Sequence, residues 1–304
     1  MAICHFSYKM LTRSKGHSAV GKAAYISGEK LYDKRLEKIF NHLKNSDLSY
    51  KEIILPINAP KRFLDREILW NEIEASEKRK DSQLARKIEV SLPRELTEEQ
   101  NIRLVKEYIK NQFVSLGMIA DLCIHRGHER DQLYAHIMLT TREVSEEGFG
   151  KKVVEWDKQP VLYKWREEWV NHANKHLAKA GLDIKIDHRS NKDRGIDLEP
   201  QNKIGPKDAK ERLTYKALEH EDIARRNGER IFINPMIVIN ALEQYSRRYT
   251  YEDVIKFINT HTADKNQFKR VYNKVINFPA LKRRLKLENR EDLDLIAKII
   301  KAKG

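Results

Sequence analysis

The sequence predicts an α+β fold, a mostly antiparallel sheet flanked by helices, with a helical basic region behind it. Three observations carry this. Period-2 alternation recurs in several short segments, two of which stand close enough to pair as a hairpin; helical periodicities fall between the strands rather than in regular βαβ units; and the last third is polar, basic and helix-like.

Residues 2–11 alternate as a first strand, a Gly-containing turn follows at Ser14 to His17, and Ser18 caps a helix expected over residues 19–31. Ile53 to Ile57 is a short apolar run ending at prolines, and residues 64–79 are helical through Leu64, Ile68, Leu69, Ile73 and Ala75. A strand ends at Pro93 with Ile88, Val90 and Leu92 on one face. Thr97 opens the next helix, with acids in its first turn. Strands at 118–125 and 134–142 are joined by a polar connection, and a Trp-rich helix at 161–180 stops at Gly181. The stretch Asp193 to Pro206 reads as a boundary between residues 1–206 and a helical tail, 207–304, in which Thr250 caps a helix.

The chain has 304 residues, 59 Lys+Arg against 45 Asp+Glu and a formal net charge of +14. Residues 1–200 hold 36 basic and 31 acidic side chains and residues 201–304 hold 23 and 14, so most of the excess lies in the tail. That favours a polyanionic partner and leaves the first 200 residues to be read from motifs. Two cysteines exclude a disulfide framework, and no apolar run approaches the roughly 18 residues that would span a bilayer, nor is the N-terminus signal-like, so a cytoplasmic protein without membrane insertion is expected. There is no phosphate-cradling Gly-Lys-Ser/Thr loop.

On the first helix, Ala19, Val20, Ala23, Ala24, Ser27 and Leu31 form one stripe, and Tyr25 falls opposite, beside Gly21, Lys22, Gly28 and Glu29. Tyr25 is either an exposed or interface tyrosine or a phosphate-attacking nucleophile, which requires a group to take its proton. Alternation puts Asp121, Cys123 and His125 on one strand face and Tyr134, His136, Met138 and Thr140 on another. If the strands pair, His125 and His136 approach each other, either as surface histidines or as holders of a divalent ion. His128, Glu129 and Asp131 in the connection are further possible ligands or simply loop polarity. Lys87, Glu89 and Ser91 form the polar face of their strand. Glu89 either takes a proton or orients a ligand, or merely meets water.

These stretches together resemble the MobA/MobL family of relaxases, and in particular the N-terminal part of TraA-type relaxase-helicases. The words that carry it run in family order: Ser18 to Gly28, Leu69 to Arg86, Gly117 to Asp121, His136 to Arg142, Ile186 to Ser190 and Lys203 to Pro206. Residues 219–260 resemble the connector that precedes the helicase of such proteins. The resemblance implies a histidine-hydrophobe-histidine endonuclease fold in which Tyr25 nicks single-stranded DNA at a plasmid transfer origin. It further implies a 5′-phosphotyrosine intermediate, metal histidines His125 and His136, Mg²⁺ or Mn²⁺, and Lys22 and Arg142 at the DNA. Type IV secretion coupling proteins and accessory relaxosome proteins are the further partners it implies. This chain departs from the family in two places: Tyr134 stands in a histidine position and Lys87 where a glutamate is common. His128 would then compensate as a ligand. The alternative function is an origin- or single-strand-binding protein without cleavage.

Overall fold

The computed structural model describes residues 5–43, 47–127, 132–201, 214–246, 248–285, 297–299 and 301. Contacts divide the chain into two compact units, residues 2–182 and 183–304.

In the N-terminal unit, five strands form one antiparallel sheet in the order β1-β5-β7-β6-β4. They are β1 (Phe6–Thr12), β4 (Leu48–Ile54), β5 (Gln83–Ser91), β6 (Ala120–Arg126) and β7 (Leu133–Leu139). β6 and β7 are the paired strands that the alternation predicts. Cross-strand partners share a face, so the register Ser7↔Glu89, Lys9↔Lys87, Glu89↔His136, Cys123↔His136 and His125↔Tyr134 gathers these residues on one side. The alternate set, Ile88, Val90, Leu122, Ile124, Ala135 and Ile137, is fully buried on the other.

Helices α1 (Ala19–Ser27) and α2 (Arg66–Ser76) pack on the first of these faces, where Ala19, Val20, Ala23, Ala24, Ile26, Leu69, Trp70 and Ile73 join Cys123 and Met138 in one core. α3 (Glu98–Gln112) opens with the expected Thr97, which forms a full capping box with Gln100. It packs against α4 (Gln159–Lys179), Tyr108 donating its hydroxyl proton to the Trp165 carbonyl at 2.8 Å.

Two local expectations change. The first helix ends at Ser27, four residues early, because Gly28 takes a left-handed φ of 63°. Leu31 stays buried, but on β2 (Lys30–Asp33), which pairs with β3 (Lys38–Asn41) in a separate hairpin. Likewise β7 stops at Leu139, and Arg142 begins a second hairpin, β8 (Arg142–Ser145) with β9 (Gly148–Lys152).

The C-terminal unit is helical, as expected: α5 (Tyr215–Ile233), α6 (Met236–Tyr245), α7 (Tyr251–Thr260), capped by Thr250, α8 (Lys265–Ile276) and α9 (Pro279–Arg284). The break precedes the expected boundary at 206. Ile196 and Leu198 are buried in the core of this unit with Ile231, Val238, Ile255 and Phe268, and Lys185 donates to the Tyr245 carbonyl at 2.7 Å. The Gly/Pro stretch thus begins as an integral part of the helical unit. No helix among the described residues is long and apolar enough to cross a membrane.

Candidate active site on the sheet face

Helix α1 is clamped at both ends. At its start the Ser18 hydroxyl accepts from Gly21 N and donates to Asp33 Oδ2, while buried Glu74 accepts from Ala19 N at 2.8 Å. Arg13 and Arg35 neutralise Glu74, at 2.8 and 2.9 Å. Beyond its end, Glu29 meets Lys51 at 2.6 Å and Arg66 at 2.7 Å, and Arg66 is also paired with buried Asp121. A further constraint comes from the hairpin: a Cβ on Gly21 would lie 2.8 Å from the Phe40 ring, so the ring packs directly against the α1 backbone there and would have to shift for any larger residue.

This clamping leaves Tyr25 about half exposed, at 52%, outside the core and on the helix that covers the histidine-bearing face. Lys22 Nζ stands 4.5 Å from the centre of its ring, and His42 meets the ring edge-on at 5.4 Å. Burial lowers the Lys22 pKa, and the charges of Lys87 and Lys9 lower it further against the opposing pull of Glu89. Lys22, Lys87 and Lys9 therefore act on one small region of surface.

His125 and His136 come together, their ring centres 5.0 Å apart in a T-shaped contact. His125 Nε2 lies 2.7 Å from the carbonyl oxygen of Ile26, the residue after Tyr25. A carbonyl only accepts, so Nε2 carries the proton and the Nδ1 lone pair remains as a base. Burial lowers the His125 pKa, and the neighbouring His136 lowers it further, which favours the neutral ring.

Glu89 Oε2 lies 3.3 Å from His136 Nδ1, a close charge contact without hydrogen-bond alignment, and 2.8 Å from Lys87 Nζ. Its other oxygen lies 3.6 Å from His5 Nε2. His136, His5 and then Lys87 hold this carboxyl far below the usual carboxylate range. Glu89 therefore stays ionised beside His5, Lys87 and His136 and is a weak base in this setting. Sequence reasoning missed His5. The signal was its place in the β1 alternation with Ser7 and Lys9, but its meeting with Glu89 depends on the β1–β5 register.

Arg142 was expected at the DNA, yet its guanidinium donates to Glu77 Oε1 (2.9 Å), the Gly150 carbonyl (2.9 Å) and the Ser76 carbonyl (3.0 Å), tying the second hairpin to the end of α2. Replacing it by alanine should lower stability and leave single-strand affinity within about twofold, checked by melting and fluorescence anisotropy; a phosphate contact would instead reduce the salt slope. Asp121, which shares the His125 face, is consumed by Arg66 and by Trp70 Nε1 at 2.9 Å.

For a divalent cation the described donors do not suffice. Tyr134 lies across from His125, with its ring so close to Gly127 that a Cβ there would be 2.8 Å away. Lys87 places an ammonium on the carboxylate that faces His136. Among the described residues no three His, Cys, Asp or Glu side chains converge to hold an ion. His128, Glu129 and Asp131 lie outside the described residues.

The fold and this face can now be set beside known proteins. The MobA/MobL family model matches residues 17–212, and the chain belongs to the MobA/MobL family. Its architecture is the α+β relaxase fold. The chain is 33% identical to the conjugal transfer protein TraA of Rhizobium radiobacter over 97% of its own length and 30% of that protein's. It is also 33% identical to the mobilization protein MobL of Acidithiobacillus ferridurans, over 76% of the chain and 70% of that protein. A solved structure described as the molecular basis of vancomycin resistance transfer in Staphylococcus aureus superposes with a TM-score of 0.59 at 34% identity, covering 62% of this chain and all of that one. The chain thus spans less than a third of the length of the TraA protein it matches.

Proposed function

We propose that this chain is a conjugative DNA relaxase, a tyrosine transesterase that nicks single-stranded DNA at a plasmid transfer origin and rejoins it. The observation that carries the reading is the placement of Tyr25 on the clamped helix α1, whose next residue, Ile26, anchors His125 beside His136.

The Tyr25 hydroxyl gives its proton to a neutral imidazole, for which the Nδ1 lone pair of His125 is the best-prepared acceptor. The phenolate oxygen bonds to phosphorus, and the P–O3′ bond breaks. The departing 3′ oxygen takes up a proton, leaving a free 3′-hydroxyl and a 5′-phosphotyrosine ester. One phosphodiester is exchanged for another, so attack by a 3′-hydroxyl reverses the step without an external energy source. Lys22 supplies positive charge beside the nucleophile. Transfer-origin DNA with a hairpin and single-stranded tail is the substrate class. We assign nicking to the N-terminal unit, a connector role to the helical unit, and secretion coupling and relaxosome accessory proteins as further partners.

The test is single-turnover cleavage of single-stranded oligonucleotides tiled across the replicon that encodes the chain. The expected result is a covalent protein–DNA adduct, with binding tighter for single strands than for plain duplex. Affinity should fall with salt at a slope of about −0.7 per neutralised phosphate. The rate should fall with acid as His125 protonates, and because its pKa is depressed the fall should begin below the ordinary histidine range. A preference for duplex over every single strand would overturn the reading. The second reading, a single-strand-binding protein without cleavage, is favoured by the incomplete donor set, and binding without any adduct would establish it.

A further inference from the structure

We propose that Lys87 is a built-in cation: its ammonium, with that of Lys22, meets the scissile phosphate in place of a divalent metal ion, so this site works on DNA without metal. The inference rests on the relaxase reading and deepens it.

Lys87 lies on β5, an interior strand of the sheet, paired in register with Lys9 of β1 and Met138 of β7. It is two residues from Glu89, the partner of His136, and shares its face. The side chain is only 14% exposed, and Nζ is held 2.8 Å from Glu89 Oε2. The same oxygen lies 3.3 Å from His136 Nδ1, so the ammonium already occupies the carboxylate that a cation beside His136 would need.

The remaining donors agree. His125 spends Nε2 on the Ile26 carbonyl, and the strand position opposite it carries Tyr134, a neutral phenol that is a poor ligand for a hard cation. A dication added beside His136 would be repelled by the Lys87 ammonium and compete with it for Glu89. The formal charges agree in sign: Lys9, Lys22 and Lys87 outnumber Glu89, so this patch is positive and attracts a phosphodiester anion. Protein groups alone thus supply the positive charge of the described site. In the transesterification above Lys87 neither gains nor loses a proton; it attracts the phosphoryl oxygens as charge builds on them.

The test compares the full-length parent with Lys87→Met, Lys87→Arg and the double variant Lys87→Glu/Tyr134→His. Mn²⁺ alone is titrated by calorimetry, single-strand binding is measured in EDTA by anisotropy, and cleavage is measured in EDTA and in Mn²⁺. The parent should show no saturable Mn²⁺ uptake, hold single strands in EDTA and form its adduct there. Lys87→Met should weaken EDTA binding several-fold, and Lys87→Arg should retain most of it. The double variant should gain one Mn²⁺ site at least about tenfold tighter than any parent uptake, because it restores two donors and removes the competing charge. Tight stoichiometric Mn²⁺ uptake by the parent, through residues 128–131 or otherwise, would overturn the inference, as would cleavage that requires Mn²⁺, although the latter leaves the transesterase reading intact. If no adduct forms with or without Mn²⁺, that reading fails instead. Metal uptake and Lys87-dependent binding in EDTA then still decide what Lys87 does.

Discussion

Tyr25→Phe should abolish the covalent protein–DNA adduct and reduce strand cleavage by about 10⁴-fold or more, while single-strand affinity stays within about threefold of the parent. Only the hydroxyl is removed. The ring remains to meet Lys22 at 4.5 Å and His42 at 5.4 Å, and since Tyr25 is half exposed the helix loses no core packing. Adduct is read on a denaturing gel and affinity by anisotropy, which separates chemistry from binding. An adduct that persists in Tyr25→Phe would place the nucleophile on another side chain and sink the assignment.

The second large effect is on stability. Asp121→Ala should destabilise the N-terminal unit by about 3 kcal/mol, because it leaves the buried Arg66 guanidinium with only Glu29, shared with Lys51, as counter-charge. Arg66 makes contacts of 2.8 Å from both Nε and Nη2 to this fully buried carboxylate, and Trp70 Nε1 adds a third donor at 2.9 Å. Tryptophan fluorescence during denaturant unfolding measures this unit selectively, since Trp70, Trp156, Trp165 and Trp169 all lie before residue 183. Replacing the pair together, Arg66→Met with Asp121→Leu, should cost much less, because neither charge is then stranded. Equal losses in the two variants would show that hydrogen bonding to Trp70, rather than charge pairing, holds α2 to β6. Cleavage should suffer more in the double variant, because Arg66 also holds Glu29 beyond the end of α1.

Much of the fold was legible because it is written in local periodicity. Alternation at 118–125 and 134–142 placed His125 and His136 on matching faces, and the helical stripe from Ala19 turned Tyr25 away from the core; each needs only the strand or helix repeat to be read. Caps were equally local, as at Ser18, Thr97 and Thr250. The two small hairpins escaped because their strands are four or five residues long, too short for a periodic signal. In the Asp193 to Pro206 stretch glycine and proline mark a change of direction, while Ile196 and Leu198 decide where its described part packs; residues 202–206 lie outside the described residues.

The sequence by itself determined the α+β class, the family, the orientation of Tyr25, and, through the family resemblance, the presence of Tyr134 in a histidine position and Lys87 where a glutamate is common. Only the tertiary structure decided what these residues meet. Glu89 became a carboxylate locked between His5, Lys87 and His136. Arg142 was spent inside the fold, and His125 was tethered to the backbone of the helix that carries Tyr25. The reason is that side-chain direction follows from neighbours a few residues away, while charge pairing and pKa depend on distances across strands. His5 and Glu89 are 84 positions apart in the chain, and it is the register of β1 on β5 that brings them within 3.6 Å.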